Sequence, residues 1–172
     1  DTGVWEGTAI ASDQQKHLAY FEFVGYGTSD GSNYEMQEFM TTNTAPFNHN
    51  TSTGSDGLTA QTVQKMIRSG GTVMPYTGTI KSWRGWATSA GSGTIDISLF
   101  KFTPTRNDSD DVAPVLVKNT QFTALGNNNM EDLIETSFGV AFAQGDIIFS
   151  AVKGSTNNKA WYFNSTLEVE WD

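Results

Sequence analysis

A serine flanked by glycines is the first feature that could support catalysis. The stretch Gly27-Thr28-Ser29-Asp30-Gly31 matches the spelling of the nucleophile elbow of serine hydrolases. An elbow needs a strand before the serine and a helix after it, with an acid and then a histidine further along the chain. The only later histidine is His49, and no acid stands where that order requires it. We therefore interpret the stretch as a glycine-serine turn.

Acidic side chains offer two further possibilities, glycoside cleavage and metal binding. Glu168 and Glu170 lie about 7 Å apart on one face of an expected strand, but nothing near them in the sequence would tune one as an acid and the other as a base. The acidic loop at 107–111 supplies oxygen ligands for an incidental calcium ion, without the glycine and distal glutamate of the helical calcium loop. The scattered His17 and His49 do not make a metal site.

Charge and composition exclude several classes of protein. The chain has 10 basic and 19 acidic side chains and a net charge of −9. This argues against nucleic acid as a direct partner, because phosphate contacts need clustered Lys and Arg. There is no cysteine, which excludes thiolate nucleophiles, Cys-based zinc sites and disulfides. No apolar run reaches the ~18 residues of a membrane span. We predict a non-enzymatic protein without cofactors and with no membrane partner.

The elements that must position these residues are strands. Turn-forming residues alternate with aromatic and β-branched residues, and aromatic residues make up 12% of the chain, a composition typical of many short strands joined by loops. We predict an all-β fold in a single domain at 1–172, an antiparallel jelly-roll β-sandwich with a long polar loop region near 25–58. Because the chain starts at Asp1 rather than at a methionine, we expect it to be processed, trimmed or a fragment.

Apolar alternation places individual strands. The runs at 77–87 and 93–102 are separated by a short loop that contains a glycine, which predicts a β-hairpin. The segment 62–68 fits either a helical face or an alternating strand. We favour a strand there, because Gly70-Gly71 and Pro75 bound the segment closely.

The closing strand has the clearest pattern. One face carries mainly apolar residues, namely Trp161, Phe163, Ser165, Leu167, Val169 and Trp171. Slipping the register by one residue would bury Glu168 and Glu170, so the register is well specified. Trp83 and Trp86 are three residues apart and therefore lie on opposite faces of a strand. We expect a core position for either tryptophan taken alone. Because the two lie on opposite faces, one of them can be exposed for contact with a partner.

Two stretches in the second half of the chain carry a resemblance to known proteins. The run 138–149 contains the turn Gly145-Asp146 between two strands. It looks like the late strands of tumour-necrosis-factor-like jelly rolls, the fold shared with complement globular heads. The run 161–167 is similar to their final strand, although Asn164-Ser165 stands where that family typically has a glycine. In the turn, Gly145 can adopt a positive φ and Asp146 can cap backbone amides.

A third stretch, at 74–80 with the Trp83/Trp86 strand after it, resembles virion structural proteins of tailed bacteriophages, especially marine and cyanobacterial ones. Together the resemblances imply a homotrimer about a threefold axis, with aromatic residues of the late strands packed between subunits. Four residues are predicted for that interface or for the core beneath it: Ile147, Phe149, Trp161 and Phe163.

The same resemblances imply a virion structural protein that is assembled in the host cytoplasm. The first expectation is a capsid decoration (cement) protein, a trimer that binds the major capsid protein and stabilises the head. The alternative is the receptor-binding tip of a tail fibre or spike, which would stack host glycans on surface aromatics such as Trp86 or Tyr26. A surface glycan hydrolase ranks last because no catalytic set is present. An ordinary cellular lectin or a secreted jelly-roll domain also stays open.

Overall fold

The structure is a computed structural model, and all of its regular elements in the described residues are strands. The described residues are 17–30, 34–36, 49–51, 53–54, 57–58, 61–62, 71–89, 93–105, 111–112, 114–123, 130–135, 138–155 and 157–172. In chain order the strands are β1 (His17–Asp30), β2 (Tyr34–Met36), β3 (His49–Thr51), β4 (Thr53–Gly54), β5 (Gly57–Leu58), β6 (Gln61–Thr62), β7 (Thr72–Val73), β8 (Gly78–Ser89), β9 (Thr94–Phe102), β10 (Asp111–Val112), β11 (Val115–Thr123), β12 (Met130–Glu135), β13 (Val140–Phe142), β14 (Ile147–Gly154) and β15 (Asn157–Trp171). Within these ranges there is no helix that could cross a membrane.

Two antiparallel sheets make up the sandwich. The first sheet has the order β1-β15-β8-β12, with β13 also paired to β8, and the second has the order β11-β9-β14-β2-β3, with β7 also paired to β14. The chain changes between these two sheets from β1 to β2, from β7 to β8, from β8 to β9, from β11 to β12, from β13 to β14 and from β14 to β15. This alternation of antiparallel strands between two sheets is that of a jelly roll. The predicted fold class, an all-β antiparallel jelly-roll β-sandwich, is therefore confirmed.

The core lies between the two sheets. The first sheet contributes Phe23, Ile80, Trp83, Ala87, Phe142, Trp161, Phe163, Leu167 and Val169, and the second contributes Ile95, Ile97, Leu99, Ile148 and Val152. Every second residue of β15 from Trp161 to Val169 is buried, so the predicted register of the closing strand is confirmed. Removing these large side chains from water is the main driving force that holds the sheets together.

The outer side of the second sheet is also apolar and buried. In β14 the residues that point away from the inter-sheet core are Ile147, Phe149 and Ala151, and each of them is buried. Phe100 of β9 stacks on Phe149, with the ring centroids 5.7 Å apart and the planes at 20°. The strand β14 is thus enclosed on both faces, which explains why its sequence is an almost continuous apolar run.

The hairpin predicted from 77–87 and 93–102 is wrong. The strand β8 pairs with β15, β12 and β13, whereas β9 pairs with β11 and β14. Trp83 of β8 and Ile97 and Leu99 of β9 lie in the same core cluster on opposing sheets. A short loop can join neighbours in one sheet or cross the roughly 10 Å between facing sheets. The crossing is favoured here because it buries the apolar faces of both strands against each other.

The first strand, β1, extends into the region near 25–58 that was expected to be a long polar loop. Gly25 pairs with Phe163, and β1 continues opposite β15 as far as Asp30. A Cβ atom at Gly25 would lie 2.1 Å from Cε1 of Phe163, so the missing side chain leaves room for that ring. The short strands β2 to β5 also fall within this region. Gly25 therefore marks a close approach of the Phe163 ring to β1, and not the end of that strand.

Two other local predictions have different outcomes. Trp83 is fully buried and Trp86 is 56% exposed, which confirms that the two tryptophans lie on opposite faces of β8. Of the segment 62–68, only Thr62 belongs to the described residues, at the end of β6. The strand predicted for the rest of that segment lies outside the described residues.

The turn between β13 and β14 has the geometry expected from its two residues. Gly145 has a φ of 89°, a left-handed conformation that glycine adopts without strain. The carboxylate of Asp146, which is 1% exposed, accepts the backbone N–H of Ala143 at 2.9 Å and the hydroxyl of Thr103 at 2.6 Å. The ammonium of Lys101 lies 3.6 Å from the same carboxylate. Asp146 therefore caps the turn and ties it to the end of β9.

Candidate binding surface

The serine motif does not form a nucleophile elbow in this fold. Gly27 to Asp30 continue strand β1, and Ser29 pairs with Lys159 of β15 near the end of an antiparallel ladder. The glycine-serine turn predicted for this stretch is therefore wrong as well for Gly27 to Asp30, because backbone pairing with β15 keeps these four residues extended. Because Ser29 is paired within β1, it does not lie at a strand-to-helix turn, which is the position that a hydrolase elbow requires.

The two carboxylates of the closing strand are held by neighbours on β8. The hydroxyl of Ser82 donates to Oε2 of Glu168 at 2.8 Å, and Nζ of Lys81 lies 3.5 Å from Oε2 of Glu170. These contacts fix the glutamates along the ladder between β15 and β8. The arrangement is that of cross-strand pairs that stabilise a sheet.

The residues considered for metal binding lie in different sheets or outside the described residues. His17 begins β1 in the first sheet, and His49 begins β3 in the second sheet. The described residues contain no group of three or more histidine, aspartate or glutamate side chains that could hold an ion. The calcium loop proposed at 107–111 lies outside the described residues except for the backbone of Asp111 in β10.

The four residues predicted for a subunit interface are buried within one chain. Trp161 and Phe163 lie in the inter-sheet core, with centroids 6.1 Å apart and planes at 26°. Ile147 and Phe149 lie on the outer side of the second sheet. The four residues therefore do not form one cluster: Trp161 lies with Phe163, and Ile147 lies with Phe149 in a different layer of the fold. Their role between subunits stays a prediction, and as placed they offer almost no surface to a neighbour.

Large exposed side chains are found instead on the outer side of the first sheet. Tyr20 is 62% exposed, Trp86 56%, Val24 45% and Tyr162 42%. We call these four residues the aromatic face. They come from three adjacent strands, β1, β15 and β8, which are the centre and one edge of the sheet. Large apolar side chains grouped on one exposed face make that face a candidate for an interaction site.

The strand register explains how the aromatic face is assembled. Val24 pairs with Asn164, and Asn164 pairs with Trp86 on the other side of β15. The next outward-facing pair along these strands is Tyr162 with Thr88. In the opposite direction, the second outward-facing pair is Tyr20 with Glu168. Since side chains of paired residues point to the same side of a sheet, these positions form one continuous outer surface.

A shallow depression of about 470 Å³ lies beside Trp86 on this surface, lined by Arg84, Gly85, Trp86, Asn164, Ser165 and Thr166. Arg84 pairs with Thr166 just as Trp86 pairs with Asn164. The depression therefore combines one indole plate with a guanidinium, an amide and a hydroxyl. Such a set can stack on a flat ligand and donate and accept hydrogen bonds around it.

The sequence predicted only part of this surface. The alternation along β8 indicated that one of the two tryptophans would point outward, and Trp86 was the one considered for contact. Nothing in the sequence indicated that Arg84, Asn164 and Thr166 would join it, because they meet only through the pairing of β8 with β15. In the sequence the run 17–24 is mainly apolar on both faces, which predicts a strand buried on both sides. That prediction is wrong for the face of β1 that carries Tyr20 and Val24, because this face is exposed.

The comparisons with known proteins concern the fold. No protein-family model matches the sequence, and no curated protein matches it either. Among solved structures, the chain is similar to Eiger, a tumour necrosis factor from S. frugiperda, at 9% identity over 88% of this chain and 91% of that chain, with a TM-score of 0.46. It is also similar to a chain from a structure described as "Bacillus endospore appendages form a novel family of disulfide-linked pili", at 8% identity over 96% of this chain and 99% of that chain, with a TM-score of 0.37.

Proposed function

We propose that this protein is a non-enzymatic structural protein of a tailed-bacteriophage virion, a capsid decoration protein that works as a homotrimer. Its subunits meet through the aromatic face, and the trimer binds the major capsid protein. The observation that carries this proposal is the aromatic face itself, four large side chains exposed on the same side of one sheet. Burying them against another subunit removes apolar area from water, which is the dominant favourable term in association.

The position of the aromatic face supports a permanent contact. It lies over the ladders of β1 with β15 and of β15 with β8, whose backbone groups are paired along nearly their whole length. A surface built on paired strands changes shape little on binding, so little ordering entropy is lost in the contact. The net charge of −9 keeps the remaining surface soluble. Both properties suit a component that is assembled in the host cytoplasm onto a finished shell.

The trimer can be tested with one charged substitution. Tyr20→Lys places an ammonium group opposite Glu168, where it makes a favourable cross-strand pair in the single chain. In a subunit contact the same ammonium group would have to be desolvated. Light scattering should therefore give three times the chain mass of 18.7 kDa for the unmodified protein and a single chain mass for the variant. Circular dichroism should stay unchanged.

The matched control is Val115→Lys on β11 of the second sheet, because Val115 is 61% exposed. It adds the same charge outside the aromatic face and should leave the trimer intact. If the unmodified protein is a monomer, or if Tyr20→Lys stays trimeric, the aromatic face is not the subunit contact.

The virion assignment has its own test, which does not depend on the trimer contact. Quantitative mass spectrometry of purified particles should give a copy number comparable to that of the major capsid protein. Particles that lack this protein should lose their DNA on mild heating. A copy number as low as that of a tail component, or full heat tolerance in its absence, would exclude a decoration role.

A second candidate function, glycan binding at the tip of a tail fibre or spike, is favoured by the depression beside Trp86. An exposed indole next to Arg84, Asn164 and Thr166 can stack on a sugar ring and bond its hydroxyl groups. Under this alternative Trp86→Ala should remove host-cell binding and leave the oligomeric state unchanged. Under the decoration proposal the same variant weakens the trimer, and no glycan binding is present to be lost. Measuring both properties on one variant separates the two functions.

A further inference from the structure

A separate aromatic cluster surrounds Trp171 at the end of the closing strand. The ring of Trp171 meets Phe21 at 6.0 Å and 82°, Phe142 at 5.6 Å and 87°, and Tyr76 at 5.7 Å and 78°, measured between ring centroids and planes. Phe142 is buried and Tyr76 is 62% exposed. The cluster is therefore anchored in the core on one side and open to solvent on the other.

The open side forms a corner of about 360 Å³ lined by His17, Leu18, Tyr76, Trp171 and Asp172. Two of its walls are the rings of Trp171 and Tyr76, which stand nearly perpendicular to each other. The backbone N–H of Asp172 donates to the carbonyl of Thr77 at 3.1 Å, which holds this residue beside the rings. The corner is thus built by residues from β1, from β15 and its end, and from the connection between β7 and β8.

The electrostatics of this corner favour a cation. The faces of aromatic rings carry negative potential, and a cation within ~6 Å of a ring centroid is attracted to it. Among the described residues no lysine or arginine is paired with the carboxylate of Asp172, in contrast to Glu170 and Asp146. The corner therefore combines two ring walls with a carboxylate that is paired with no lysine or arginine of the described residues, in a chain whose net charge is −9.

We propose that this corner binds the guanidinium group of an arginine on a partner protein. A guanidinium is planar, stacks on aromatic rings and can donate two parallel hydrogen bonds to one carboxylate. Trp171 or Tyr76 supplies the stacking surface and Asp172 the acceptor. The exposed side chain of Leu18 supplies an apolar contact for the methylene stem of the arginine. A lysine lacks the planar fork and fits this combination less well.

The proposal is tested with two small probes of nearly the same shape, N-acetylarginine amide and N-acetylcitrulline amide. The second replaces the guanidinium by a neutral urea. Titration at millimolar concentrations should move the indole N–H resonance of Trp171, which the Trp171→Phe variant identifies. We expect the citrulline probe to bind about tenfold more weakly than the arginine probe, because it lacks the charge that the rings and the carboxylate attract.

Substitutions in the corner locate the site. Asp172→Asn keeps the backbone bond to Thr77 and removes only the charge, so it should weaken the arginine probe about fivefold. Tyr76→Leu removes one ring wall and should weaken it about threefold. The control Glu22→Gln removes the same charge from an exposed position of β1 outside the corner and should leave binding unchanged.

Three outcomes would overturn the proposal. The first is equal binding of the two probes, and the second is a Trp171 resonance that does not move. The third is a loss with Glu22→Gln as large as that with Asp172→Asn, which would mean that net charge alone attracts the probe. None of these measurements depends on whether the protein is a trimer or part of a virion.

Discussion

Trp83→Ala should lower the free energy of unfolding by about 3–5 kcal/mol, whereas Trp86→Ala should change it by less than about 0.5 kcal/mol. The two residues are three positions apart on β8, and one is fully buried while the other is 56% exposed. Trp83 packs in the inter-sheet core beside Leu167, with which it is paired across the strands. Its removal leaves a cavity that surrounding strands, held by their own pairing, cannot fill.

The measurement is denaturant unfolding of both variants in the Tyr20→Lys background, which is expected to be monomeric. This background keeps subunit association out of the comparison, because association adds concentration-dependent stability. A third variant, Trp83→Phe, refines the result. The buried indole N–H of Trp83 has no hydrogen-bond partner among the described residues, so phenylalanine keeps most of the packing and removes an unsatisfied donor. Trp83→Phe should lower the free energy of unfolding far less than Trp83→Ala. Equal losses for the two variants would contradict the role assigned to the packing of Trp83.

Gly85→Ala should lower the free energy of unfolding by about 3 kcal/mol or more, a large effect for the addition of one methyl group. A Cβ atom at this position would lie 2.2 Å from the carbonyl oxygen of Asn164 and 2.6 Å from Cα of Ser165. Both atoms belong to the backbone of β15, which is locked between β1 and β8. The two central strands would have to separate, and the hydroxyl of Ser165 would be displaced from the carbonyl of Phe23, to which it donates at 3.2 Å.

The matched control for this substitution is Gly139→Ala. A Cβ atom at Gly139 would meet only Cγ2 of Thr79, at 3.8 Å, which is ordinary van der Waals contact. We expect a change of less than about 0.5 kcal/mol for this variant. Thermal unfolding followed by circular dichroism compares the two, and the soluble yield reports on Gly85→Ala if it does not fold. Similar stabilities for the two variants would show that β8 and β15 can separate at Gly85 without cost.

Several features were predictable from the sequence because they depend on local geometry. Residues alternate between the two faces of a strand, so the closing strand could have only one register that buries Trp161 and Leu167 and leaves its glutamates outside. The turn at Gly145-Asp146 needs only a residue that tolerates a positive φ followed by one that caps amides. The same reasoning separated Trp83 from Trp86. The β-rich composition indicated the class of fold.

Other features were decided only by the tertiary structure, because they depend on which strands become neighbours. The loop between β8 and β9 is compatible with a hairpin. The chain crosses to the other sheet instead, because that crossing buries the apolar faces of β8 and β9 against each other. The glycines at Gly25 and Gly85 are required by Phe163 and by the backbone of β15, which are distant in sequence. The same pairing assembles the aromatic face and encloses Phe149. Alternation specifies which residues of a strand share a face, but long-range packing decides whether that face is covered.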